Sequence, residues 1–192
     1  ITHTADGLQF QPYNVDKLAQ RIFRYGKFVI LMSATIVNPA KFAKTLGIDD
    51  YYFIETATTL SAKKAPIKCT DKFKLNYKNK SQLLPQMAKV AGQICTMYSK
   101  KKGIIHTHSM DVLRYLKAEL GNNPRFLFRE QGIDNERMLQ IHSETSEPTV
   151  LVSPSMTHGV DLKGDLGEFQ VVMKAPFLPL NDERVKRKFE ND

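Results

Sequence analysis

Residues 150–179, VLVSPSMTHGVDLKGDLGEFQVVMKAPFLP, set a polar Gly-Val-Asp turn between two apolar runs with the character of buried parallel strands. Such a layout aims a loop at a ligand. It recurs earlier, where the apolar run 28–32 empties into Ser33-Ala34-Thr35, small hydroxyl residues at a strand's carboxyl end. Two loops of this kind predict a shared functional edge.

The rest of the chain fits the same plan. An extended start at 8–12 leads to a helix over 14–25, with apolar Val15, Leu18, Ile22 and Phe23 on one face and Asn14 as its cap. Gly26 ends it, and 27–32 reads as a strand. Asn38-Pro39 opens a helix to Leu46 that Gly47 closes, and 51–55 reads as a second strand. Between 56 and 77 the spacing supports only a short strand at 66–69. From Ser81, the positions Leu84, Met87, Val90, Ala91, Ile94 and Met97 repeat every three or four residues, which predicts a long amphipathic helix to Tyr98. A strand over 103–107, a helix over 110–120 capped by Ser109 and closed by Gly121, and a strand over 125–128 follow. A short helix over 134–142, a strand over 149–152, a loop over 153–165 and a last strand over 169–174 complete the series. Strand alternating with helix is the signature of a parallel sheet covered on both faces.

With 192 residues, 42% hydrophobic and 25% charged, the chain can bury one substantial core, and the expectation is a single domain over residues 1–192. No apolar run reaches the roughly 18 residues of a membrane helix. Residues 1–20 lack the basic-then-apolar layout of a secretory signal, so the expected location is the cytoplasm, the nucleoid, or the nucleus in a eukaryote. Cys69 and Cys95 lack the spacing of a metal or redox pair. Asp161 and His106, His108, His142 and His158 match no metal-ligand pattern, so no metal site is expected. The chain begins without Met and ends in a charged tail, 181–192, in which Val185 and Phe189 suggest one helical face. It reads as a fragment of a longer protein.

A net charge of +8 favours acidic partners, nucleic acid first. Lys63, Lys64, Lys68, Lys72, Lys74, Lys78 and Lys80 crowd one stretch against the single acid Asp71, interleaved with Phe73 and Tyr77. This stretch is either a phosphate-contacting face or a solvated strand edge guarded by lysines. The lysines at 100–102 complement the end of the preceding helix.

In open α/β sheets ligands lie beyond the carboxyl ends of the strands, so three loops are candidates. In the first, Ser33 and Thr35 could hydrogen-bond a phosphate-sensing neighbour or simply cap a turn. In the second, the hydroxyls of Thr107 and Ser109 at a helix amino terminus could hold a backbone phosphate, although capping explains Ser109 equally. In the third, Gly159 allows a close approach, and the Asp161 carboxylate could take a ribose hydroxyl or an arginine, or could just make the turn before Lys163-Gly164-Asp165.

LMSAT at 31–35, GIIHTHS at 103–109 and SMTHGVDLKGDLGEFQVVMKAPFLP at 155–179 resemble, in order, helicase motifs of superfamily 2. The XPD/DinG-like branch is the nearest match. There an SAT motif follows a strand, a Gly-Val-Asp-Leu segment precedes Gly-Asp, and a strand runs into Pro-Phe, here Gly159–Leu162, Gly164-Asp165 and Pro176-Phe177. The resemblance implies a motor of two RecA-like domains that hydrolyses ATP with magnesium and translocates on single-stranded DNA, with this chain as the second domain. It implies a RecA-like, mostly parallel sheet with helices on both faces. Ser33, Ala34 and Thr35 would couple the ATP state to DNA binding, and Gly159 and Asp161 would line the nucleotide cleft. Thr107, His108 and Ser109, with Lys72 and Lys74, would meet the DNA backbone.

The departures are specific. No GxxxxGK(S/T) phosphate loop and no Asp-Glu-Ala-His-like box occurs, and no arginine motif of the family's kind follows Pro176-Phe177, Arg184 and Arg187 being out of context. ATP and magnesium are therefore expected mainly on the other RecA-like domain, as is any iron–sulfur cluster, and the fragment alone should hydrolyse nothing. Three alternatives stand beside this reading: a non-catalytic nucleic-acid-binding module, a superfamily 2 RNA helicase or translocase, and a nucleotide-binding enzyme of another doubly wound type. The last lacks its Gly-rich strand-to-helix turn.

Overall fold

In a computed structural model, the structure describes residues 2–4, 7–9, 12, 14–57, 63, 65–70, 72–129, 134–156, 160–177 and 185–186. The chain divides into two compact units, one of residues 1–67 with 180–192 and one of residues 68–179.

The first unit opens with an antiparallel hairpin of β1 (Thr2–Thr4) and β2 (Gly7–Gln9), with His3 opposite Leu8. Helix α1 (Asp16–Phe23) starts two residues later than expected, because Val15 rather than Asn14 takes the cap position and no side chain caps it. Helix α2 (Pro39–Thr45) starts as its sequence dictates, with the Asn38 side chain accepting from the Lys41 N–H at 2.9 Å. It ends in a Schellman turn: the Gly47 N–H donates to the Lys44 carbonyl and the Ile48 N–H to the Ala43 carbonyl, with Gly47 at φ +66°. Gln20 of α1 donates to the Gly47 carbonyl at 2.7 Å, which ties the two helices together.

The strands expected at 27–32, 51–55 and 66–69 do not form. A strand exists through its ladder to a neighbour, and no described strand lies alongside these runs. Their alternation survives as a difference in exposure: Phe28, Ile30 and Met32 are more than four-fifths exposed, while Val29 and Leu31 are less so. At the chain's end only Val185 and Lys186 of the expected tail helix are described, and they are helical.

The second unit holds the parallel sheet. The long amphipathic run becomes α3 (Lys80–Met97), with Leu84, Met87, Ala88, Ala91 and Cys95 buried and Pro85 tolerated in the second turn. After it come β3 (Gly103–His106), α4 (Met110–Leu120), β4 (Phe126–Phe128), α5 (Asn135–Glu144), β5 (Val150–Ser153), a 3-10 turn at Gly164–Gly167, and β6 (Phe169–Val172). Asp134 caps α5 by accepting from the Arg137 N–H at 2.8 Å. The order across the sheet is β4-β5-β3-β6, every pair parallel, with Gly103 opposite both Val150 and Phe169.

The two-residue period of the strands divides the core. Ile105, Val150, Val152, Phe126 and Phe128 face α3 and α4, whereas Ile104 and Leu151 face Met138 of α5 and Met156. Helices therefore cover both faces, and the fold is RecA-like α/β. Burial of residues such as Ile104, Ile105, Leu116 and Leu151, all at most 1% exposed, contributes about 1.5–3 kcal/mol each.

Polar clamps join these layers. Arg125, just before β4, donates to the carbonyls of Cys95, Tyr98, Lys101 and Pro148, so one guanidinium holds the end of α3 against the sheet. Lys102 donates to the carbonyls of His142 and Thr145, both at 2.6 Å, at the end of α5. The lysine that follows α3 in sequence thus complements α5 in space.

Candidate functional site

Parallel strands end together, and here the carboxyl ends of all four lie level. Past the ladder, the Thr107 N–H donates to the Ser153 carbonyl at 3.0 Å, the Met173 N–H to the His106 carbonyl at 2.9 Å, and the Arg129 N–H to the Val152 carbonyl at 3.2 Å. Thr107 is fully buried, and its hydroxyl donates to the Ser109 carbonyl at 3.2 Å, so this side chain shapes the loop from within. His108 turns the chain out of the strand with φ +48°, a left-handed conformation that costs a non-glycine residue about 1–3 kcal/mol. Ser109 then stands extended at the cap position of α4, but its side chain makes no cap bond, which departs from the capping role expected for it. The first-turn N–H groups of α4 thus open beside His108 and Ser109.

The His106 and His108 rings stack with centroids 5.9 Å apart. Burial holds the His106 imidazole below its ordinary pKa, His108 adds to this, and Gln170 opposes it. Burial also lowers His108, helped by the Lys174 charge that follows β6. Both rings are therefore held toward the neutral form.

Asp161 is exposed, 3.4 Å from Lys163. It borders a half-open trough of about 320 Å³ whose lining includes Ile104, His106, Met156, Leu162 and Gln170. Gly159, expected to act beside Asp161, lies outside the described residues, as does His158. Ser33, Ala34 and Thr35 belong to the first unit and are exposed, and Ser33 Oγ accepts from the Thr35 N–H at 3.3 Å in a self-contained turn.

The basic stretch divides by side. Phe73 and Leu75 pack onto the core while Lys72 and Lys74 point outward, so Phe73 is structural and only Tyr77, 93% exposed, keeps an open ring. Lys80 is taken up in an ion pair with Asp111, which also holds Arg114 at 3.1 Å, and the Asp111 carboxyl is pulled below its usual range mainly by Lys80.

The sequence pattern pointed to the loop at 107–109 and to Asp161, raised His106 only as a metal-ligand candidate, and gave no sign of Gln170, Lys174 or the Arg129–Ser155 hydrogen bond. The available signal was positional: His106, Arg129, Ser155 and Lys174 lie at or just past the carboxyl end of a strand, whereas Gln170 sits inside β6. Among the described residues, no group of three or more His, Cys, Asp or Glu could hold a metal ion. No helix among them is long and apolar enough to cross a membrane.

A family model described as the helicase C-terminal domain matches residues 69–191, which take in all but the first residue of the second unit and most of 180–192. No curated protein matches the chain. The parallel sheet, its loop-bearing edge and this match together lead to one conclusion: the chain belongs to the helicase C-terminal domain family.

Proposed function

We propose that this chain is the C-terminal motor domain of an ATP-dependent DNA helicase of the XPD/DinG-like branch of superfamily 2, and that it grips single-stranded DNA by its phosphates. The observation that carries the reading is the loop between β3 and α4. His108 swings the chain out of the sheet, and the uncapped first turn of α4 opens beside it, a geometry suited to a backbone phosphate. Lys72, Lys74 and Lys174 lend the same unit positive charge. Phosphate contacts carry no base information, so binding is independent of sequence.

ATP and magnesium are held mainly by the other RecA-like domain, with Asp161 and Gly159 facing the nucleotide from this side and Ser33, Ala34 and Thr35 relaying its state. That division of labour accords with a chain that has no phosphate loop of its own.

The test is anisotropy of labelled oligodeoxythymidine with this chain across a salt series. Wild type should bind with an affinity that falls steeply with salt, and joint Lys72→Ala and Lys74→Ala replacement should flatten the slope by about one to two phosphate contacts. Binding that is insensitive to salt and to both lysines would sink the reading. A requirement for 2′-hydroxyls would move it to an RNA helicase.

A further inference from the structure

The crossover from β5 reaches β6 through the 3-10 turn at Gly164–Gly167, none of whose residues is buried. A turn of this length has little stability of its own, so it depends on what holds it. At its far end the Glu168 N–H donates to the Lys102 carbonyl at 3.0 Å, and the Glu168 carboxylate meets Lys101 at 2.9 Å in a partly exposed pair that water screens. The other link comes from inside. His142, fully buried near the end of α5, donates from Nε2–H to the Leu166 carbonyl at 2.8 Å and accepts at Nδ1 from the Thr149 hydroxyl at 2.7 Å. Lys102 closes the circuit by donating to the His142 carbonyl at 2.6 Å.

This arrangement fits a ring whose Nδ1 carries no proton. A proton added there turns an acceptor into a donor, and the buried Thr149 hydroxyl must give up its bond. The resulting imidazolium stands in a buried site beside the Lys102 ammonium. The carboxylates of the adjoining segments are turned elsewhere: Glu168 meets Lys101, Glu144 accepts from Gln140 at 2.7 Å, and Asp165 and Glu147 are exposed. Helix α5 and β5 are fixed in the core by Met138 and by Val150, Leu151 and Val152. The turn, with no buried residue, is the neighbour that lifts away at least cost. Leu162 goes with it, because a Cβ on Gly167 would lie only 2.8 Å from the Leu162 Cβ.

We propose that His142 is a proton-operated latch: with its ring neutral the stretch from Val160 to Gly167 lies on the sheet, and with its ring protonated the turn detaches and draws Leu162 off the cluster of Ile104 and Leu151 while the strands stay paired. Burial lowers the pKa of the closed ring below the ordinary 6.5, the Leu166 bond opposes this, and Lys102 adds to the lowering. A ring released to water titrates at the ordinary value. The open population therefore rises about tenfold per pH unit below 6.5 and levels off once pH passes the pKa of the closed ring. Asp161 lies within the freed stretch, so acid loosens the loop that carries it. The latch needs neither nucleotide nor nucleic acid, and it stands or falls apart from the helicase reading.

The experiment takes the full 192-residue chain from about pH 7.5 to 5.5 by NMR, reading the nitrogen shifts of the His142 ring together with amide exchange corrected for its intrinsic pH dependence. Protection at Leu166 and Glu168 should fall by about tenfold per pH unit as the His142 ring titrates, while Ile105 and Leu151 in the core strands lose far less. His142→Gln, whose amide still donates to the Leu166 carbonyl but takes up no proton, should hold protection at Leu166 constant over the same range. Flat protection in the wild type, a loss in step with the core strands, or an unchanged pH response in His142→Gln would overturn the proposal. Should that variant fail to fold, the wild-type comparison of turn and strands decides alone.

Discussion

His142 is buried with both ring nitrogens engaged. Its Nε2–H donates to the Leu166 carbonyl at 2.8 Å, and the Thr149 hydroxyl donates to Nδ1 at 2.7 Å, so the neutral ring with its proton on Nε2 is the form that fits. Burial lowers its pKa below the ordinary 6.5, the Leu166 bond opposes this, and the charge of Lys102 adds to the lowering. The unfolded chain therefore binds the proton more readily than the folded one. Stability from this group is full above the ordinary value and is lost as pH falls through it toward the folded pKa. His106 and His108 act in the same direction. Urea midpoints should accordingly drop between about pH 7 and 5, and His142→Gln should make that drop shallower; an unchanged slope would remove His142 from the account. Nothing in the sequence separates His142 from the other four histidines, because its burial is made by residues far along the chain. Cys95 teaches the same lesson: burial raises its thiol to about 11 against the pull of Arg125, while Cys69 is exposed.

Among the elements, β3 and β5 are the two central strands of the sheet, β3 pairing with β5 and β6 and β5 with β4 and β3. The first residue of β3 shows how closely neighbours are set. A Cβ at Gly103 would lie 2.5 Å from the Phe169 ring, which itself stacks on Tyr98 at 5.0 Å and cannot easily withdraw. Gly103→Ala should cost about 1–3 kcal/mol, read as a lower urea midpoint at an unchanged slope. A neutral result would mean that the ring moves freely. The helices α3 and α4 and the core strands were legible because their apolar spacing serves a partner within residues 68–179. The runs at 27–32 and 51–55 have strand composition too, yet composition cannot supply a ladder, and they remain unpaired. The hydroxyl of Ser109 shows a similar limit, since a residue type suited to capping stands at the cap without making the bond.

For the molecule as a whole, the buried members of both core clusters lie between Leu84 and Met173, and the partly buried side chains packed on them begin at Phe73. Residues 68–179 expressed alone should therefore give a dispersed amide spectrum and one cooperative urea transition; a molten spectrum would show that the first unit is needed for the core to set. The sequence by itself determined the alternation of strand and helix in that region and the cap at Asn38, because each depends on residues within a turn or two of one another, and it carried the helicase-like motifs in their order. Only the tertiary structure decided that Phe73 goes inward while Lys74 stays out, that Thr107 is buried beneath the loop it was expected to present, and that Gln170 and His106 share an open face. These outcomes follow from which strand lies beside which, and in the order β4-β5-β3-β6 the neighbours of β3 are contributed by residues 150–172, beyond the reach of any local pattern.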